Sequence, residues 1–100
     1  MTRGKIIIKN KGLKMVETYQ NSDATIEQIV LICQQAFDNS TLIGEIAGNI
    51  LINFDCNYIF NIDYYYIIDI QKKELFQFEA VSNWDKGTTR KGKKLNHIKF

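Results

Sequence analysis

Apolar residues along this chain change their spacing several times, and each change marks an element. Ile6-Ile7-Ile8, between Lys5 and Lys9, reads as a short strand. Asn10-Lys11-Gly12 follows as a turn, because Asn and Gly tolerate positive φ. Leu13 to Tyr19 then alternates, with Leu13, Met15 and Tyr19 on one side, so residues 5–20 predict a β-hairpin.

From Ile26 the period lengthens. Ile26, Ile29, Val30, Cys33 and Phe37 share one helical face, and Leu31 and Ile32 widen it. Ser22 or Asp23 is the expected N-cap, Asp23 and Glu27 suit the positive end of the helix dipole, and the helix should stop near Asp38-Asn39. A second helix is expected behind Ser40 or Thr41, running to about Asn53 or Phe54 with Ile46, Ala47, Ile50 and Leu51 among its apolar members. Gly44, Ala47 and Gly48 form a small-residue strip on it. An interior glycine costs about 0.5–1 kcal/mol relative to alanine, so two of them predict that another backbone approaches there.

Strict alternation returns over residues 57–70. Tyr58, Phe60, Ile62, Tyr64, Tyr66, Ile68 and Ile70 fall on one face, and Asn57, Asn61, Asp63, Tyr65 and Asp69 on the other. Fourteen residues are long for one strand, so a bend near Asn61-Ile62-Asp63 would divide it. Gln71-Lys72-Lys73 is a polar turn, Leu75 to Val81 alternates again, and His97 to Phe100 reads as a short edge strand. The order ββ–α–α–β(β)β predicts an α+β fold: a mostly antiparallel sheet with two helices on one face. One hundred residues at 45% apolar suit a single domain spanning 1–100, with 86–100 as a basic segment whose flexibility the sequence leaves open.

Charge follows position. Residues 1–14 hold Arg3, Lys5, Lys9, Lys11 and Lys14 without an acid, a net +5. All 11 acidic residues lie from Glu17 to Asp85, opposed only by Lys72 and Lys73, a net −9. Residues 86–100 hold Lys86, Arg90, Lys91, Lys93, Lys94 and Lys99, a net +6. Such separation bears on partners more than on fold. No apolar run approaches a membrane span or a signal-peptide core, so the expected setting is cytoplasmic, away from a membrane. The bias toward Ile, Lys, Asn and Tyr is that of AT-rich coding DNA.

Catalytic chemistry is thinly provided. His97 is the sole histidine and sits in a polar, basic stretch, where solvated surface is the expectation. Cys33 falls on a helical apolar stripe and reads as a packing residue; Cys56, beside Asp55, lacks activating cations. The spacing of Cys33, Cys56 and His97 is not that of a zinc site, and no glycine loop precedes a helix to cradle phosphate. Asp55, Asp63 and Asp69 could meet on a sheet face, though carboxylates on the wet side of a strand are common. No enzyme activity, metal or cofactor is therefore expected. Two binding surfaces are. Asp55, Asp63, Tyr65 and Asp69 would form an acidic face with an aromatic anchor for a protein partner. Lys86, Arg90, Lys91, Lys93 and Lys94 would follow a phosphate backbone while Trp84 stacks on a base.

At Tyr19-Gln20-Asn21-Ser22-Asp23 the chain resembles a group of small uncharacterised phage proteins. In that group a first hairpin ends in an aromatic, a Ser/Trp-Asp-Gly-Tyr-Pro-type turn opens a helix, and an Ala/Gly-containing helix and a Tyr-rich hairpin follow. Asp23 matches the turn acid, Ile46-Ala47-Gly48 the small residues, and Tyr64-Tyr65-Tyr66-Ile67-Ile68-Asp69 the hairpin; Ala24-Thr25 replaces Gly-Tyr-Pro. The resemblance implies origin in a phage or integrated bacterial element and carries no biochemical activity with it.

Small proteins of such elements often act stoichiometrically, for example by blocking host defence nucleases. The leading expectation is thus a non-enzymatic interaction protein, an inhibitor of the anti-CRISPR kind, whose acidic middle meets a cationic groove of a host protein or ribonucleoprotein. The other is nucleic-acid or nucleotide binding through the basic termini, with a homodimer holding a signalling nucleotide as a variant.

Overall fold

Two runs decide the centre of the molecule. Ile6-Ile7-Ile8 and Tyr66-Ile67-Ile68 are buried at three consecutive positions, and a strand apolar on both faces belongs inside a sheet, where side chains of the flanking strands shield it. The structure is a computed structural model and describes residues 2–54 and 57–100. Its elements are β1 (Gly4–Asn10), β2 (Leu13–Gln20), α1 (Ile26–Asn39), α2 (Ile43–Leu51), β3 (Tyr64–Asp69), β4 (Glu74–Asn83) and β5 (Thr88–Lys99). They form an α+β fold with a five-stranded sheet in the order β2-β1-β3-β4-β5. The two doubly apolar strands, β1 and β3, lie side by side in the middle as the one parallel pair; every other pairing is antiparallel.

The helices cover one face. Ile6, Ile8, Tyr66, Ile68 and Leu75 from the sheet pack with Ile29, Ile32, Cys33, Ala36, Phe37, Ile46, Ala47 and Ile50 from the helices in one cluster. Each large aliphatic side chain buried there contributes roughly 1.5–3 kcal/mol. Cys33 is wholly buried, and burial pushes its thiol up to about 12, which leaves it an unreactive packing residue. One polar chain crosses this layer. Asn96 Nδ2 donates to Gln77 Oε1 (2.6 Å), Gln77 Nε2 to the Tyr66 hydroxyl (3.1 Å), and that hydroxyl to the Ala24 carbonyl (2.6 Å). Gly4 is required beside it: a Cβ there would stand 2.9 Å from that of Ala24.

Several boundaries depart from the expectation. Thr25, not Ser22 or Asp23, caps α1, its side chain accepting from the Gln28 amide. Ala24 is fixed in the core, so Asp23 turns the chain at φ +59° and the helix begins only after it. α2 starts after Leu42, which offers no side-chain cap; Ser40 instead accepts from the Leu42 amide and donates to Glu45. It ends at Leu51, and the Asn53 side chain donates to the Asn49 carbonyl. No backbone approaches Gly44 or Gly48, where an added Cβ would meet open space; only Ala47 of that strip is buried. Residues 57–63 form no strand, because the chain must leave the helix layer and enter β3 beside β1: Asp63 accepts from the Arg3 amide, and the Asp63 amide donates to the Arg3 carbonyl.

The largest departure is at the C-terminus. The expected short strand at His97 is the end of a strand that starts at Thr88 and pairs with β4 from Asn83↔Thr88 to Glu74↔Lys99. Its side chains are mostly exposed because it is an edge strand, so no apolar period announces it.

Candidate nucleic-acid interface

Among the described residues, no helix or strand covers the sheet face away from the helices. The registers place on it Glu17 and Tyr19 of β2, Lys5 and Ile7 of β1, Tyr65 and Ile67 of β3, Phe76 and Phe78 of β4, and Lys91, Lys94 and His97 of β5. Aromatic rings and ammonium groups alternate across it, and the two halves treat them differently.

On the β2–β1–β3 side the chain satisfies its own charges. The Lys5 ammonium lies 5.8 Å from the centre of the Tyr19 ring, 5.1 Å from that of Tyr65, and 3.5 Å from Glu17 Oε1. Glu17 also meets Lys14 at 3.3 Å and accepts from the Tyr19 hydroxyl at 3.1 Å. Partial burial opposes ionisation of Glu17, but Lys5, Lys14 and the tyrosine outweigh it and hold its carboxyl below the usual range. Burial and the same carboxylate push Tyr19 and Tyr65 up, so both stay neutral. Tyr58 packs edge-on against Tyr19, with ring centres 5.4 Å apart, and closes this half. The Lys5 side chain is only 15% exposed.

On the β4–β5 side nothing among the described residues closes the face. Phe76 and Phe78, two residues apart on one strand, hold their rings nearly parallel, with centres 6.3 Å apart and planes at 23°. His97 stacks on Phe76 at 4.3 Å and 14°, held by its pairing with Glu74. The Lys94 ammonium lies 5.7 Å from the Phe76 ring centre and that of Lys91 4.7 Å from Phe78. Among the described residues, neither lysine forms an ion pair. The result is a half-buried aromatic row with unneutralised cations leaning over it, chemistry suited to a planar, anionic ligand.

The residues singled out from the sequence are redistributed. Asp63 immediately precedes β3 and Asp69 ends it, about 20 Å apart at the usual rise per residue. Both serve the backbone: Asp63 accepts from Arg3 and Asp69 from the Lys72 amide. Tyr65 lies under Lys5 rather than in a ring of carboxylates, and Asp55 and Cys56 lie outside the described residues. The acidic patch is therefore not assembled from the described members. The basic set divides. Trp84, Lys86 and Arg90 surround a depression at the tip of the β4–β5 hairpin, Lys91 and Lys94 reach the aromatic row, and Lys93 is exposed on β5. Phe76 and Phe78 escaped the sequence reading, Lys5 was visible only as charge, and His97, expected as solvated surface, instead stacks on Phe76. The signal for the first two was present: Phe76-x-Phe78 puts both rings on one face of a strand.

Charge separation survives in part. The helices carry Glu27, Asp38 and Glu45 with no lysine or arginine, whereas β5 carries Arg90, Lys91, Lys93, Lys94 and Lys99 with no acid. Across β1 and β2 it is erased by the pairs around Glu17. Among the described residues, no helix is long and apolar enough to cross a membrane. Comparison with family models, curated proteins and solved structures gives no match.

Proposed function

We propose that the uncovered sheet face binds single-stranded nucleic acid, with bases stacking on Phe76 and Phe78 and phosphates meeting Lys91 and Lys94. The observation that carries this is the placement of two ammonium groups, unpaired among the described residues, over two half-buried phenyl rings on a face that no described helix or strand covers. An incoming base takes the ring surface, and the displaced lysine is left within reach of the adjoining phosphate. Unpaired bases are needed because a duplex hides their faces in its own stack. The direct test is anisotropy titration with a labelled single strand and with its duplex at low salt. Tighter binding of the single strand is expected; equal or stronger binding of the duplex would contradict stacking as the mode.

A second reading is favoured by the helix layer: an interaction protein, of phage or mobile-element origin, that inhibits a host defence nuclease. Glu27, Leu31 and Asp38 recur at i, i+4 and i+11 on the outer side of α1, and Leu42 and Ile52 are exposed at the two ends of α2. Such a surface, acidic and partly apolar, suits a cationic groove. On this reading a Glu27→Lys, Glu45→Lys variant loses association with the nuclease complex while keeping its fold by circular dichroism; no association of the unaltered protein with any such complex would remove it.

A further inference from the structure

Trp84 is the one tryptophan of the chain and is 70% exposed, at the tip of the β4–β5 hairpin. An exposed indole on a loose turn would be unremarkable. This turn is fastened. Asn83 Oδ1 accepts from the amides of Asp85 (3.1 Å) and Lys86 (3.2 Å), and Gly87 supplies the positive φ of +63° that closes it. From outside, the Tyr58 hydroxyl donates to the Gly87 carbonyl at 2.9 Å and Thr89 Oγ1 to the Phe60 carbonyl at 2.8 Å. The Phe60 ring meets the indole edge-on, with centres 4.8 Å apart at 85°. Lys86, Arg90 and Trp84 line one depression of about 610 Å³, the volume range of small-ligand sites. Thr88 and Thr89, at the base of the same tip, line a second depression with Lys5, Glu17, Tyr19 and Tyr58, so the tip borders the closed half of the sheet face, while β4 itself, which ends at Asn83, joins it to Phe76 and Phe78.

We propose that Trp84 is a second stacking station for the strand bound at Phe76 and Phe78, with Lys86 and Arg90 taking phosphates beside it. This rests on the reading of the sheet face given above and adds a length and a path. Eight residues separate Phe76 from Trp84, at most about 26 Å along β4 and the turn at ~3.3 Å per residue. At ~3.4 Å per stacked nucleotide the span holds about eight bases, or about half as many when splayed. Holding the indole in place beforehand lowers the ordering cost of binding, which is why an anchored turn matters here.

Because Trp84 is the one tryptophan, its fluorescence under excitation selective for indole reports this station separately from total binding. The 100-residue chain is titrated with a thymidylate dinucleotide and octanucleotide, and with the uridylate pair, while anisotropy of labelled oligonucleotide follows the whole interaction. The octanucleotide is expected to quench Trp84 and the dinucleotide to leave it unchanged, with the DNA and RNA arms telling which sugar is preferred. Trp84→Ala is expected to weaken the octanucleotide about five- to hundredfold and the dinucleotide not at all. Trp84→Phe should restore most of that loss. Octanucleotide binding with unquenched Trp84 and unchanged affinity in Trp84→Ala would overturn the station and leave the sheet-face reading intact. Equal quenching by polyglutamate would overturn it too, since charge alone would then suffice. Absence of binding by any oligonucleotide would overturn both.

Discussion

Lys5 and the pair Lys91 and Lys94 occupy the same face of the same sheet, and each lies over an aromatic ring. Lys5 has Glu17 beside it, a tyrosine on either side and a side chain 15% exposed; the other two form no ion pair among the described residues and sit on an edge strand. The same local chemistry is thus structural in one half and available in the other. The difference comes from the partner strand. β2 delivers a glutamate opposite Ile7, two residues from Lys5 on the same face, whereas β5 delivers only lysines opposite Phe78 and Ala80. A cation already paired and half enclosed gains little from a phosphate, because binding must first break what it has.

The largest way to break the contrast is to remove the open half's rings. Phe76→Ala with Phe78→Ala should weaken single-strand binding by about 1–3 kcal/mol per lost stack, read by anisotropy, while circular dichroism shows the fold kept because both rings are only half-buried. Unchanged affinity would mean that bases do not stack there. Next in size, Lys91→Gln with Lys94→Gln should lower affinity roughly tenfold at low ionic strength, with a much smaller loss at high salt.

The closed half can be opened. Glu17→Gln should free Lys5 and raise single-strand affinity by roughly threefold at low salt, a gain read in the same titration. It should also change the response to acid. Glu17 is held below its ordinary range in the folded protein, so its stabilising contribution is complete above the ordinary glutamate range and is lost as pH falls through the lowered value. Thermal melts from neutral pH down should therefore show a shallower acid loss in Glu17→Gln than in the unaltered chain; parallel curves would remove Glu17 from the pairing. The smallest effect concerns the helix layer. Gly44→Ala and Gly48→Ala meet open space, so each should stabilise by about 0.5–1 kcal/mol in denaturant melts and leave oligonucleotide binding unchanged.

What could be read from the sequence follows the apolar period. Both helices and the core face of β3 were legible because a buried side imposes alternation or a helical stripe, and the hairpin was legible from the apolar run of β1 and its turn, although Leu13 and Met15 of β2 are exposed and only Tyr19 is buried. β5 was not, since a lysine-rich edge strand with solvent on most sides carries no such constraint. The 57–63 segment misled for the opposite reason: its alternation ran on smoothly from β3, although Tyr58 faces the hairpin tip and only Ile62 reaches the interior. The candidate site lay across both errors. Lys91 and Lys94 were visible as charge, but their alignment over Phe76 and Phe78 needs the β4–β5 register, bulges included, and no local pattern encodes that.

The most direct measurement is the salt dependence of single-strand binding for the unaltered protein, Lys5→Gln, and Lys91→Gln with Lys94→Gln, each checked for folding first. For a single strand each lost phosphate contact removes about 0.7 from the slope of log affinity against log salt. The open-half pair should therefore flatten the slope by about 1.4, and Lys5→Gln should leave it where it was. A slope changed as much by Lys5→Gln as by the double variant, or by neither, would contradict the division of this face into a satisfied half and a receptive one.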